Sequence, residues 1–156
     1  AIRKYTMFKI KMLITALCCI CLTSLAQADG YSAITFDDLR IRAVHGGMKV
    51  TAGFVTITNS AATDDRLLRI STDFAGKSEL HTMSMDNGVM KMRPLADGII
   101  IPAGESITLK PGGLHLMFMK LEEEPQKGER RDITFFFENA GEITLAADVR
   151  MIKHSH

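Results

Sequence analysis

Histidine and methionine alternate in two short stretches of this chain, His81-Thr-Met83-Ser-Met85 and His115-Leu-Met117-Phe-Met119. Successive side chains of an extended strand point to opposite faces, so each triplet lines one side. Imidazole and thioether together are neutral, soft donors. They suit Cu(I) and serve hard cations such as Mg²⁺ or Ca²⁺ poorly. A structural zinc site would recruit thiolate or more histidine. Two histidines with two methionines would leave a Cu(I) site at a charge of +1, and they survive in a compartment that oxidises thiols. Such donors also suit handover, because neutral ligands can leave one at a time.

The first triplet runs into Asp86-Asn87-Gly88-Val89. Asn-Gly between two strand-like runs predicts a two-residue type I′ hairpin, since that turn needs positive φ at both central residues. In that register Met85 opposes Met90 and Met83 opposes Met92. His81, Met83, Met85, Met90 and Met92 then share one face, with Lys91 and Arg93 on the other. Beyond Pro111-Gly112-Gly113, a second strand would put His115, Met117 and Met119 on one face and Leu114, Leu116 and Phe118 on the core side.

The elements that must position these residues follow a leader. Lys9 and Lys11 precede the apolar run 12–22, and Ala26-Gln27-Ala28 follows it. This order of basic, apolar and small-residue segments predicts a signal peptide over residues 1–28, with Met7 as an alternative start. Cleavage would leave residues 29–156 as one domain and remove all three cysteines, 18, 19 and 21. A blue-copper site needs a cysteine thiolate, and none would remain. Fifteen basic and eighteen acidic residues would stay, a formal charge of −3. No basic patch with interleaved aromatics suggests nucleic-acid binding. The expected location is the periplasm, with no membrane segment in the mature part. Of the eight methionines after residue 28, six lie between 83 and 119, a clustering that scattered core filling does not produce.

The mature chain reads as all-β. Short β-branched or apolar runs lie at 33–36, 39–44, 50–58, 66–70, 79–85, 89–93, 99–101, 106–109, 114–121, 132–138 and 142–152, punctuated by Gly, Pro, Asn and Asp. Many short strands without helical periodicity predict a two-sheet β-sandwich with Greek-key connections. The run Glu122–Gly128 reads as a solvated loop.

These residues resemble the PCuAC family of periplasmic copper chaperones. The family motif is a histidine, ten residues, a methionine, about twenty-one residues, then His-x-Met. Here ten residues separate His81 from Met92, and His115-Leu116-Met117 closes the pattern after twenty-two. The extra residue fits a turn such as 96–98 or 102–104. The flanking segments 88–94 and 110–117 also match. The resemblance implies a cupredoxin-like fold and a Cu(I) carrier in which His81, Met92, His115 and Met117 are the ligands. It further implies delivery toward the CuA centre of cytochrome c oxidase, with a Sco-type thioredoxin-like partner. Met83, Met85, Met90 and Met119 fall outside the four-ligand motif and read as packing, a soft surround or alternative donors. His45 reads as structural. His154 and His156 read as a solvated tail, with Cu(II) binding as the alternative.

Two other classes stay open from the residues themselves. One is a copper buffer or resistance protein without a dedicated acceptor. The other is a metal-free β-sandwich interaction module with an adhesive methionine surface. Catalysis is not expected, because the chain has no nucleophile elbow, phosphate-binding glycine loop, paired catalytic carboxylates or HExxH motif.

Overall fold

The computed structural model describes residues 32–152. The leader over 1–28 with its alternative start, the domain limits at 29 and 156, and the His154/His156 tail lie outside the described residues. Among the described residues ten strands run in chain order: β1 (Ile34–Arg42), β2 (Val50–Asn59), β3 (Asp65–Ser71), β4 (Ala75–Asp86), β5 (Val89–Pro94), β6 (Ile99–Ile101), β7 (Ser106–Leu109), β8 (His115–Leu121), β9 (Arg130–Phe137) and β10 (Glu142–Arg150). Among the described residues there is no helix, so none is long and apolar enough to cross a membrane. The all-β expectation holds. Two boundaries differ in an informative way. The runs at 33–36 and 39–44 are one strand, kinked by a register shift between Asp37 and Arg40, with Asp38 at φ 52°. A bulge absorbs what looked like a break. β4 starts at Ala75 rather than Glu79, because its first turn of pairing, opposite Leu121 and Met119, is polar and glycine-containing and carries no apolar period.

Hydrogen bonds link the strands in the order β5-β4-β8-β2-β1-β10-β9-β3-β6, and β7 pairs with the second half of β2. β1 and β10 run parallel; the other pairs are antiparallel. Consecutive strands β3 and β4 belong to different halves of this path, and so do β5 and β6. These crossovers fold the path over itself into a Greek-key sandwich, in which two inner faces share one core. Ile41, Leu80, Leu116 and Phe118 from one half join Leu67 and Phe135 from the other in a single apolar cluster. Phe74, on the β3–β4 crossover, packs its ring 5.1 Å from that of Phe118. Burying side chains of this size contributes about 1.5–3 kcal/mol each. No cysteine lies among the described residues, so no disulfide contributes to this core.

The predicted hairpin is present. Asn87 and Gly88 adopt φ of 51° and 79°, both positive as a type I′ turn requires. The pairing is Met85↔Met90 and Met83↔Met92, with His81 opposite Pro94. The core side of β8 is also as expected, with Leu116 and Phe118 fully buried.

Candidate functional site

The site is built on the outer face of the β5-β4-β8-β2 half. β8 lies between β4 and β2, so alternate residues of four strands meet on one surface. Three rows run across it. Lys77, Met119 and Val50 form one row; Glu79, Met117 and Ala52 form the next; His81 and His115 are direct partners in the third. Beyond His81 the hairpin adds the pairs Met83–Met92 and Met85–Met90.

The two imidazoles are buried and their ring centroids lie 5.7 Å apart. Each ring is tethered by one nitrogen. His115 donates its Nδ1–H to the carbonyl of Gly113 at 2.9 Å. His81 donates its Nε2–H to the Glu79 carboxylate at 2.8 Å. These bonds set the tautomers and leave the lone pairs on His81 Nδ1 and His115 Nε2. Both of those nitrogens are buried with no hydrogen-bond partner. An unsatisfied buried polar atom costs about 1–3 kcal/mol, so these two on partnered histidines, with Arg42 Nε a third at the same site, make this a candidate ligand site. A metal-bound histidine usually holds its other nitrogen to a carboxylate or carbonyl in this way.

Electrostatics favour neutral imidazole at His115. Burial pushes its pKa below the ordinary histidine value, the Gly113 carbonyl opposes that shift, and the charges of His81 and Arg42 add to it. The His81 hydrogen bond holds the Glu79 carboxyl below its usual range, helped by the Lys77 ammonium at 2.6 Å. Glu79 is thus an anion in contact with a ring of the site.

His115, Met117, Met92 and Met83 line a cavity of about 450 Å³; His81 does not line it but is next to His115, ring to ring. Its floor is Phe54, buried yet on the outer face, with the guanidinium of Arg42 5.9 Å from the ring centroid. Among the described residues, no three of His, Cys, Asp and Glu converge as a metal-binding group. A metal held here would have to recruit thioether sulfur.

A family profile described as "Putative lipoprotein LpqE-like" matches residues 34–149. The copper-bound PCuAC domain from PmoF2 shares the fold, with a TM-score of 0.65 and 24% identity over 77% of this chain and 94% of that one. The Cu(I) form of DR1885 from Deinococcus radiodurans is similar at a TM-score of 0.59 and 27% identity, over 79% of this chain and 80% of its own. The chain belongs to the PCuAC family. A sequence relative of this PCuAC domain, "Putative lipoprotein Lxx21020" of Leifsonia xyli subsp. xyli, is 27% identical over 135 residues, 85% of this chain and 80% of its own length. The fold of the PCuAC domain is cupredoxin-like, as the resemblance implied.

Of the four residues that the PCuAC motif picks out, the fold brings His115, Met92 and Met117 to one cavity and sets His81 against His115. Met83 joins them. Met119 does not: it lies a row away and lines a separate hollow with Lys49, Lys77 and Leu121. Met85 and Met90 stand at the exposed hairpin tip, and His45 is exposed in the β1–β2 loop. Four residues around the candidate site carry no mark in the motif: Glu79, which holds His81, and Arg42, Phe54 and Met48, which line the cavity. Glu79 was within reach, since a residue two before His81 shares its face. Met48 sits alone in a loop, where no period points to it.

Proposed function

We propose that this chain is a Cu(I) carrier outside the cytoplasm, whose ligands are Nδ1 of His81, Nε2 of His115 and the thioethers of Met92 and Met117. The observation that carries this reading is the pair of buried, unpartnered imidazole nitrogens on the thioether-bearing face. The Cu(I) form of DR1885 supports it from outside the chain. Gly113 and Glu79 hold the rings in the ligating tautomer before the ion arrives, so little ordering is left to do on binding. The donor set adds no charge, and Cu(I) keeps its +1. Met92, 44% exposed, is the ligand that an acceptor reaches first. Passage toward the CuA centre of cytochrome c oxidase, with a Sco-type partner in the periplasm, is the delivery route this reading adopts. It is a carrying function rather than a catalytic one.

The test is competition with a Cu(I) chelator. The expected result is one tightly held Cu(I) per chain and its selective loss in His115→Ala and Met117→Ala. Affinity unchanged in both variants would overturn the ligand set. Oxidase activity in a deletion strain, with and without added copper, tests the delivery route. Loss that added copper repairs supports delivery, and unchanged activity points to a buffer instead.

A further inference from the structure

The β4–β5 hairpin carries two thioethers beyond those the inner set uses. Met85 and Met90 face each other one pair from the Asn87-Gly88 turn, on the same face as Met83, Met92 and His81. They are 65% and 47% exposed. Core packing does not account for them, because a methionine that fills a core is covered. Nor do they belong to a charged surface. Lys91 and Arg93 occupy the opposite face of the hairpin, where both pair with Asp86, at 2.6 and 3.6 Å. The methionine face is left uncharged and open.

Directly opposed residues of an antiparallel pair hold their Cβ atoms about 4.5–5.5 Å apart. Two flexible thioethers at that spacing can reach one ion between them. The next pair inward, Met83–Met92, lies two residues along each strand, about 7 Å away. After it come His81 and His115. The sulfur donors thus form a ladder from solvent toward the buried imidazoles, with successive pairs about 7 Å apart along the strands.

We propose that Met85 and Met90 form an outer site for a soft monovalent cation, Cu(I) or Ag(I), and that the ion reaches the inner set through Met83 and Met92 by thioether exchange. This rests on reading the inner set as a Cu(I) site. At each step one metal–sulfur bond forms as another breaks. The ion stays monovalent, and no proton or electron moves. The outer site has two donors and open water around it, so it binds more weakly and exchanges faster than the inner one.

The experiment is an Ag(I) titration of the purified protein, carrying ¹³C-methyl methionine, followed by NMR. The expected result is two steps: the Met92 and Met117 methyls shift first, and those of Met85 and Met90 shift on further addition. Met85→Leu with Met90→Leu, at exposed positions, should lose the second step and keep the first. His115→Ala with Met117→Ala should do the reverse. Met85 and Met90 methyls that stay unmoved in excess Ag(I) overturn the outer site, and so does a second step that persists in the double leucine variant. Methyl shifts of Met85 and Met90 without any at Met92 and Met117 would sink the inner reading while leaving the outer site standing. Loading of Cu(I) from a small-thiol complex should be severalfold slower in the leucine variant at equal final affinity. An unchanged rate overturns the exchange path.

Discussion

His81 and His115 are direct partners across the β4–β8 ladder, and each ring turns its one free nitrogen away from its own tether. The two tethers differ in kind. Gly113 offers a neutral carbonyl close in sequence to its histidine, whereas Glu79 offers a full negative charge that Lys77 in turn neutralises. The two imidazoles are therefore unequal. His115 is held by the backbone and disfavoured as a cation by burial; His81 is held by a side chain that substitution can remove.

That inequality makes Glu79 the natural first variant. Glu79→Gln keeps an acceptor for the His81 ring but removes the charge behind it. Cu(I) affinity should fall by about 10-fold or somewhat more, the range for loss of a partner behind a metal ligand. Chelator competition measures this. Wild-type affinity in the variant would mean that the ring needs no carboxylate to hold its orientation.

Acid should weaken both the fold and the binding. The His115 pKa is depressed in the folded protein, while an unfolded imidazole takes up its proton near pH 6.5. Between that value and the lower folded one, the unfolded chain binds more protons, so stability drops as pH drops. Above about pH 6.5 this group contributes no pH dependence, and below the folded value its loss is complete. Urea unfolding midpoints across that window provide the check. Cu(I) affinity should decline further down, as pH falls through the depressed folded value of His115, because a protonated ring cannot ligate. An affinity that stays flat down to about pH 4 would indicate methionine-only ligation.

Arg42 places a cation at the cavity wall, where it also lowers the His115 pKa. Replacing it with a neutral chain that brings no soft donor, Arg42→Gln, should tighten Cu(I) by severalfold, up to about tenfold or roughly 1.4 kcal/mol at an intermediate effective dielectric. The same competition assay reads it, and the effect should shrink with added salt. Weaker binding would show instead that the guanidinium matters mainly as cover for Phe54.

Gly98 closes the turn between β5 and β6, and its φ is +76°. A Cβ there would stand 2.2 Å from the backbone oxygen of Leu67. Gly98→Ala should cost at least about 2 kcal/mol, from the left-handed backbone and the clash together. Gly88→Ala at the hairpin tip meets open space, and its penalty should be closer to 1 kcal/mol. Thermal unfolding of the two variants separates them. Equal penalties would mean that Leu67 moves aside without cost.

The faces and the pairing of the hairpin were legible in the sequence. Period-two alternation assigns His81, Met83 and Met85 to one face, and Asn87-Gly88 sets the pairing with Met90 and Met92 through backbone geometry that two residues control. Composition and turn spacing likewise sufficed for an all-β chain. Less could be read of the strand ends. Asp38 turns an apparent break into a bulge, and the polar start of β4 hides a strand whose pairing with β8 keeps it extended.

Only the tertiary structure decided that β8 lies beside β4, so that His115 meets His81 while Met119 looks into a different hollow. Hydrogen-bond ladders between strands distant in sequence depend on how the whole core packs, and no local period encodes them. Burial is decided in the same way. The orphaned nitrogens, the depressed His115 pKa, and the places of Arg42, Phe54 and Met48 around one cavity all follow from neighbours that the fold brings in from other strands and loops. Residue types and spacing named candidate donors; convergence of separate strands brought His115, Met92 and Met117 to one cavity and set His81 against His115.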